Sequence, residues 1–277
     1  MKNQTLIAIL CLVGSLSLSA QSIYYNYEQD NFLRLELNRP ILNDFDTKFF
    51  TFDAFFNGEF RVGKKDKISF EIPFSRVSFD SFGTNFSDTR LGGIAVGYQI
   101  RNLENPSYFD FKLRLPTADD DGVGLLFTDF TERFTSAFSD IVSIEGSYNF
   151  ETKNTVGWYF RFKPGAKFLI PINEDTLDDT EFLIDLNILG GYRTEKFDLN
   201  AGITTTTIIS EDVNDFDDRI LRQLVSTFTY TAGAWKPGLI FRIPLDEDNF
   251  GDSFDISIGV HVGYTFGNES KNSPDKE

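Results

Sequence analysis

Charged side chains at every second position are the first chemical signal in this chain. Asp110, Lys112 and Arg114 alternate with Phe109, Phe111 and Leu113, and Arg161, Lys163 and Lys167 stand between Phe160, Phe162 and Phe168. Glu71, Glu145, Asp185 and Arg242 occupy the same parity in other segments. Successive side chains of a strand point to opposite faces, so each set belongs to one polar face with an apolar face behind it. If such a face lines a tube, its rings of charge can set solute selectivity. The same groups can equally fill a narrow interior with ion pairs, and the spacing alone leaves both readings open.

The single histidine, His261, shares its parity with Asp255 and Ser257 on the polar face. A hydrolase working on lipid would need its histidine and serine reachable from the apolar face, so the expectation is a protein that is not an enzyme and carries no catalytic residues. Asp119-Asp120-Asp121 and the acidic stretches 174–179, 211–218 and 246–252 offer oxygen ligands of the kind Ca²⁺ takes. None has the spacing of an EF-hand loop, and they read as solvated loops. No metal site and no cofactor is expected.

Four prolines repeat in a common setting: Ile72-Pro73-Phe74, Leu115-Pro116-Thr117, Ile170-Pro171-Ile172 and Ile243-Pro244-Leu245. A proline removes one ladder hydrogen bond. Placed on the polar face of alternate strands, Pro73, Pro116, Pro171 and Pro244 are candidates for bulges that reshape the space those strands enclose.

The elements that must carry these residues follow from the period. From Phe50 to Val62 one parity holds Phe50, Phe52, Ala54, Phe56, Phe60 and Val62, and the other holds Thr51, Asp53, Asn57, Glu59 and Arg61, with Phe55 the exception. The same alternation recurs up to Phe254–Phe266, and with weaker segments near 32–39, 138–150, 197–210 and 221–231 it predicts about twelve strands. Tight connections, at 63–66, 103–106, 152–154, 194–195 and 232–233, alternate with longer ones. Tyr98, Tyr148, Trp158, Tyr192, Tyr230, Trp235 and Tyr264 all fall on the apolar face near the tight-turn end, the level at which Trp and Tyr favour lipid headgroups. Together these features predict an all-β fold, a single closed antiparallel transmembrane β-barrel of about twelve strands with its amino terminus in the periplasm.

Composition and the chain ends agree. Aromatic residues are 16% of the chain, with 31 Phe, at a mean hydropathy of −0.21, and no long apolar run follows the amino-terminal segment, which excludes a helical membrane protein. A formal net charge of −16 argues against nucleic acid as a partner. The apolar run Leu6–Val13 followed by small residues up to Ala20 reads as a signal peptide over 1–20, with the mature protein starting at Gln21. Cys11, the only cysteine, lies inside that run, so the mature chain has no disulfide. The barrel is placed over 21–266, ending on Phe266 as outer-membrane assembly machinery expects of a last strand, with a polar tail over 267–277. Expected partners are outer-membrane lipid and lipopolysaccharide, the barrel assembly machinery and a small-molecule solute. The loop 118–137, with Leu125, Leu126 and Phe127, is a candidate plug.

The pattern of strand, tight turn and strand ending in apolar-Pro from Gly58 to Phe74, then Arg90-Leu-Gly-Gly-Ile-Ala-Val-Gly-Tyr-Gln and Leu113-Arg-Leu-Pro-Thr, resembles the outer-membrane protein family associated with the meta-pathway of phenol degradation. The resemblance implies a channel for small, often aromatic or hydrophobic compounds. It assigns no site residues. The function expected is a passive channel or facilitator, with a structural or adhesive barrel of plugged lumen, or a lipid-acting enzyme, as alternatives.

Overall fold

The computed structural model describes residues 31–42, 48–63, 65–81, 84–101, 107–118, 131–152, 156–173, 180–210, 219–245 and 254–267. The expected signal segment, the acidic stretches 119–121, 174–179, 211–218 and 246–252, the apolar trio Leu125–Phe127 and the tail beyond 267 lie outside the described residues.

The alternating segments form strands β1 (Asn31–Leu42), β2 (Lys48–Val62), β3 (Asp66–Ser81), β4 (Thr84–Leu91), β5 (Ala95–Arg101), β6 (Tyr108–Arg114), β7 (Ile141–Glu151), β8 (Gly157–Pro171), β9 (Glu181–Arg193), β10 (Phe197–Ile208), β11 (Ile220–Tyr230), β12 (Trp235–Pro244) and β13 (Phe254–Phe266). β4 and β5 both pair with β3 and occupy one place in the wall, so thirteen segments make a closed antiparallel barrel of twelve staves. Closure comes from β1, which pairs with β2 on one side and with β13 on the other, from Asn31↔Phe266 to Leu42↔Phe254. The barrel closes on itself among the described residues, and β4, paired with β3 alone, is the strand that keeps a free edge.

The usual distribution of a globular core is inverted. Phe111, Leu113, Ile144, Phe160, Ile188 and Val260 point outward and are more than a third exposed, while Glu36, Asp53, Lys163, Lys167 and Arg242, at 0% exposure, point inward. An apolar outer band with a charged interior is stable where lipid meets the outside. At the tight-turn end Trp158 stacks edge-on to Tyr192 at 5.2 Å, Trp235 lies 4.8 Å from Tyr264, and the Tyr98 hydroxyl donates to Asp66 at 2.7 Å. Two of these turns are set by left-handed glycines, Gly63 (φ 68°) and Gly233 (φ 63°), a conformation that costs glycine nothing.

Two elements differ from the sequence reading. The connection after β3 is tight at both ends of the strand: only residues 82–83 separate Ser81 from Thr84, and the β3–β4 hairpin takes up what reads as a long loop. The segment beginning at Phe138 enters its strand only at Ile141. Phe138 instead packs edge-on against Phe134 at 4.8 Å, beside the inward cluster Ile141, Leu169 and Leu183.

The four prolines fall in two kinds of place. Pro171 and Pro244 are the last residues of β8 and β12, and Pro116 lies just beyond β6. Pro73 sits within β3, opposite Phe55 of β2, and on its other side the ladder skips: Glu71 pairs with Ala95 and Phe74 with Leu91, so β3 has two intervening residues where its neighbour has three. Pro73 has no N–H to give there, and the extra residue forms a bulge at Gly92-Gly93-Ile94, with the Gly92 N–H donated to the Pro73 carbonyl at 2.8 Å.

Candidate functional site

The bulge turns the Gly93 peptide inward. Its N–H donates to the Ser136 carbonyl at 2.9 Å, and its carbonyl accepts from Arg114 Nη1 at 2.7 Å. Ser136 belongs to a segment, Thr131–Phe138 with a single 3-10 turn at Phe134–Ala137, that leaves the wall between β6 and β7 and lies across the lumen. Thr131, Glu132, Arg133, Thr135, Ser136 and Ala137 are all buried. The connection expected to plug the barrel therefore does enter it, through these residues; Leu125–Phe127 lie outside the described chain.

Adjacent residues of this segment face opposite walls. Arg133 donates from Nη1 to Glu36 Oε1 of β1 at 2.9 Å, places Nε 3.1 Å from Glu71 Oε2 of β3, and lays its guanidinium over the Phe55 ring of β2 at 3.9 Å. Glu132 accepts on Oε1 from Lys163 Nζ of β8 at 3.2 Å and from Asn187 Nδ2 of β9 at 3.1 Å. Lys167 Nζ donates to the Thr131 and Glu132 carbonyls at 3.1 and 3.2 Å, and the Thr131 hydroxyl lies 2.9 Å from that of Thr204 on β10. The Thr135 hydroxyl receives Arg114 Nε at 3.1 Å and donates to Glu145 at 3.0 Å.

The charged residues singled out by their spacing are brought together around this segment. Arg114 also pairs with Glu71 at 2.8 Å, Lys167 with Asp185 at 3.1 Å, and Arg242 with Glu36 at 3.0 Å. Asp110 accepts from Gln99 at 3.3 Å and, with Lys112, Glu71, Arg34 and Glu59, borders a small open cavity on the tight-turn side of the plug. Arg161 takes no part in the plug. It pairs with Glu151 at 2.8 Å near the tight turns, where Arg193 also reaches Glu151 at 2.9 Å and stacks over Tyr159 at 4.4 Å. His261, buried at the same end, lies with Nε2 3.2 Å from the Thr229 hydroxyl, on the lumen side of the wall. Among the described residues no three His, Asp or Glu side chains gather as metal ligands.

Sequence reasoning missed Glu36, Asp53, Phe55, Gly93 and the Glu132-Arg133 pair. Phe55 carried a signal: as the one apolar residue out of phase between Phe50 and Val62, it faces the lumen, where Arg133 covers it. Gly92-Gly93 carried another, two glycines in a row where a strand should continue. Asp53 shows its character only in three dimensions. It is fully buried, and neither carboxylate oxygen meets a hydrogen-bond donor among the described residues. Oε2 of Glu36 is in the same state.

No family model and no curated protein matches the chain. Among solved structures it is similar to the COG4313 outer membrane channel from Pseudomonas putida F1, with a TM-score of 0.59 at 10% identity, covering 89% of this chain and 99% of that one. The fold is that of an outer-membrane β-barrel. This outer-membrane barrel is also similar to the translocator domain of the autotransporter NalP from Neisseria meningitidis (TM-score 0.51, 9% identity, 86% and 90% covered). It is equally similar to LpxR from Salmonella typhimurium (TM-score 0.51, 9% identity, 85% and 100% covered). At these identities the likeness is one of fold.

Proposed function

We propose that this outer-membrane barrel is a passive channel for small molecules, constricted by the segment Thr131–Phe138. The observation that carries this reading is how the constriction is held. Its charged contacts are ion pairs and hydrogen bonds to the wall. A buried ion pair gives back much of its Coulomb energy as desolvation, so such a contact can be exchanged for water or for a polar solute at small net cost. An apolar plug would have no such exchange partner. The lumen candidates Glu71, Asp110, Lys112, Arg114, Glu145, Lys163, Lys167, Asp185 and Arg242 line or hold the constriction, whereas Arg161 and His261 line the end at the tight turns.

In this reading residues 1–20 direct export, the amino terminus and tight turns face the periplasm, and the partners are lipid, lipopolysaccharide, the assembly machinery and the solute. The charged lining supports polar solutes over the aromatic or hydrophobic compounds that the family resemblance implies. The wall-facing position of His261 inside the barrel, away from acyl chains, supports a protein without lipid-hydrolase activity.

The inward apolar cluster of Ile141, Leu169 and Leu183, with Phe134 and Phe138 against it, favours a second reading, a permanently plugged structural or adhesive barrel. Single-channel conductance of the refolded protein in planar bilayers decides between them. Discrete steps that grow in the double variant Glu132→Ala/Arg133→Ala establish the channel; silence from both correctly folded proteins establishes the plugged barrel.

A further inference from the structure

At the level of the constriction the wall is divided by charge. The arc β1–β3 presents Glu36, Asp53 and Glu71, all buried, with the buried Arg34 two residues from Glu36 toward the tight turns. The facing arc β6–β9 presents Lys112, Lys163 and Lys167, three cations against the two carboxylates of Glu145 and Asp185, with Asp110 two residues from Lys112 toward the tight turns. Arg242 of β12 and Arg114 sit at the borders, each already paired with an acid of the first arc. The division is matched by the plug: the cation at 133 turns to the acidic arc and the carboxylate at 132 to the basic one, within one dipeptide.

Resting on the channel reading, we infer that Glu132-Arg133 occupies a solute subsite, and that the solutes this constriction takes are zwitterions bearing a carboxylate and a guanidinium or ammonium group, of amino-acid or short-peptide kind. A protein side chain that satisfies a site reports the chemistry the site accepts. Here the carboxylate is taken by a lysine and an asparagine amide, Lys163 and Asn187, and the guanidinium by two carboxylates and an aromatic face.

Asp53 is a second and independent sign. It is fully buried on the acidic arc, cross-strand from Asn38 and Ser75, and both of its oxygens are without a donor among the described residues, as are Oε2 of Glu36 and the Ser75 and Thr51 hydroxyls. A buried carboxylate without donors is costly, and the acceptor capacity left over beside Glu36 suits a further N–H-rich cation. A solute that bears only one sign of charge would satisfy one arc and meet repulsion at the other. A neutral sugar would displace both ion pairs without replacing either.

The test is liposome swelling with dipeptides of similar size whose ends are blocked by N-acetyl and C-amide groups, comparing Glu-Arg with Glu-Glu, Arg-Arg and Gln-Gln, together with block of ion conductance by each. Glu-Arg is expected to enter several-fold faster than the other three in wild type and in E132A/R133A, where removal of the competing side chains raises the absolute rate and keeps the preference. In Glu36→Gln/Lys163→Gln, which removes one plug contact on each arc, the preference should disappear while ion conductance rises. Both variants are first checked for the heat-modifiable gel mobility of a folded barrel; the plug variant alters no wall residue and carries the test alone if the wall variant does not fold.

Equal entry of the four peptides, or entry ordered by one sign of charge, with ion conductance present, overturns the zwitterion site and leaves the channel standing. Absence of any ion or solute flux from both folded wild type and E132A/R133A overturns the channel reading, and this inference with it.

Discussion

The two ends of the lumen use the same residue types in different ways. Near the tight turns, ion pairs run between staves that are neighbours or next but one: Glu59 with Lys67 and Arg101, Glu151 with Arg161 and Arg193. These contacts tie wall to wall. At the constriction three pairs also join staves, Arg114–Glu71, Lys167–Asp185 and Arg242–Glu36, but Glu36, Glu71, Lys163 and Lys167 in addition hold a segment that is not part of the wall. A pair that ties two staves is broken only by deforming the ladder between them, whereas a pair that ties a loop is broken by moving the loop. Chemically similar rings of charge therefore serve stability at one level and passage at the other.

The largest effect should come from cutting the loop free. Glu132→Ala/Arg133→Ala leaves every stave intact and is expected to raise single-channel conductance several-fold with little change in unfolding midpoint. At the other level the effects should reverse. Glu151→Ala takes the ion pair from Arg161, which is 1% exposed, and leaves Arg193 with Asp198 alone of its two carboxylates, and should cost about 3 kcal/mol in denaturant unfolding from lipid while leaving the conductance step unchanged. If Glu151→Ala opens the channel instead, the division between the levels fails.

Lys112→Glu/Arg114→Glu sharpens the comparison at the constriction. It should shift ion selectivity toward cations, read as the reversal potential in a salt gradient, and loosen the plug through the lost contacts to Thr135 and Gly93. Gly93→Ala probes the bulge more gently. The added methyl would lie 3.1 Å from the Arg114 side chain and from the Leu115 carbonyl, so a loss of about 1 kcal/mol and a small conductance change are expected. The least is expected of Pro116→Val and Pro171→Val, which stand at or beyond strand ends. Altered solute passage in that pair would show that the lumen is shaped there as well.

The staves were legible because their signal is local. A period of two needs only a few consecutive residues, as in Tyr108–Arg114 or Val260–Phe266, and the lumen parity of Lys112, Lys163 and Arg242 comes with it. The plug was not, because nothing in Thr131–Phe138 repeats, and a Glu-Arg pair in a loop reads as solvated charge. Its partners lie far off in sequence, 97 residues in the case of Arg133 and Glu36. Asp53 likewise passed as one more polar-face residue, since the lack of a donor is a property of its surroundings. The inward turn of Gly93 arises from Pro73, twenty positions earlier, across a ladder that only the closed sheet creates.

The seam between β1 and β13 has a consequence for assembly. The first described strand must wait, with one side unsatisfied, for the last to arrive, and contacts so distant in sequence form late and slowly. The Glu36 carboxylate marks the end of that wait. It gathers Asn38 from its own strand, Arg133 from mid-chain, and Arg242 from 206 residues away on the penultimate strand. Until β12 and β13 have joined, this acid is short of its Arg242 counter-ion and β1 keeps an open edge, so one carboxylate reports whether the ring is complete.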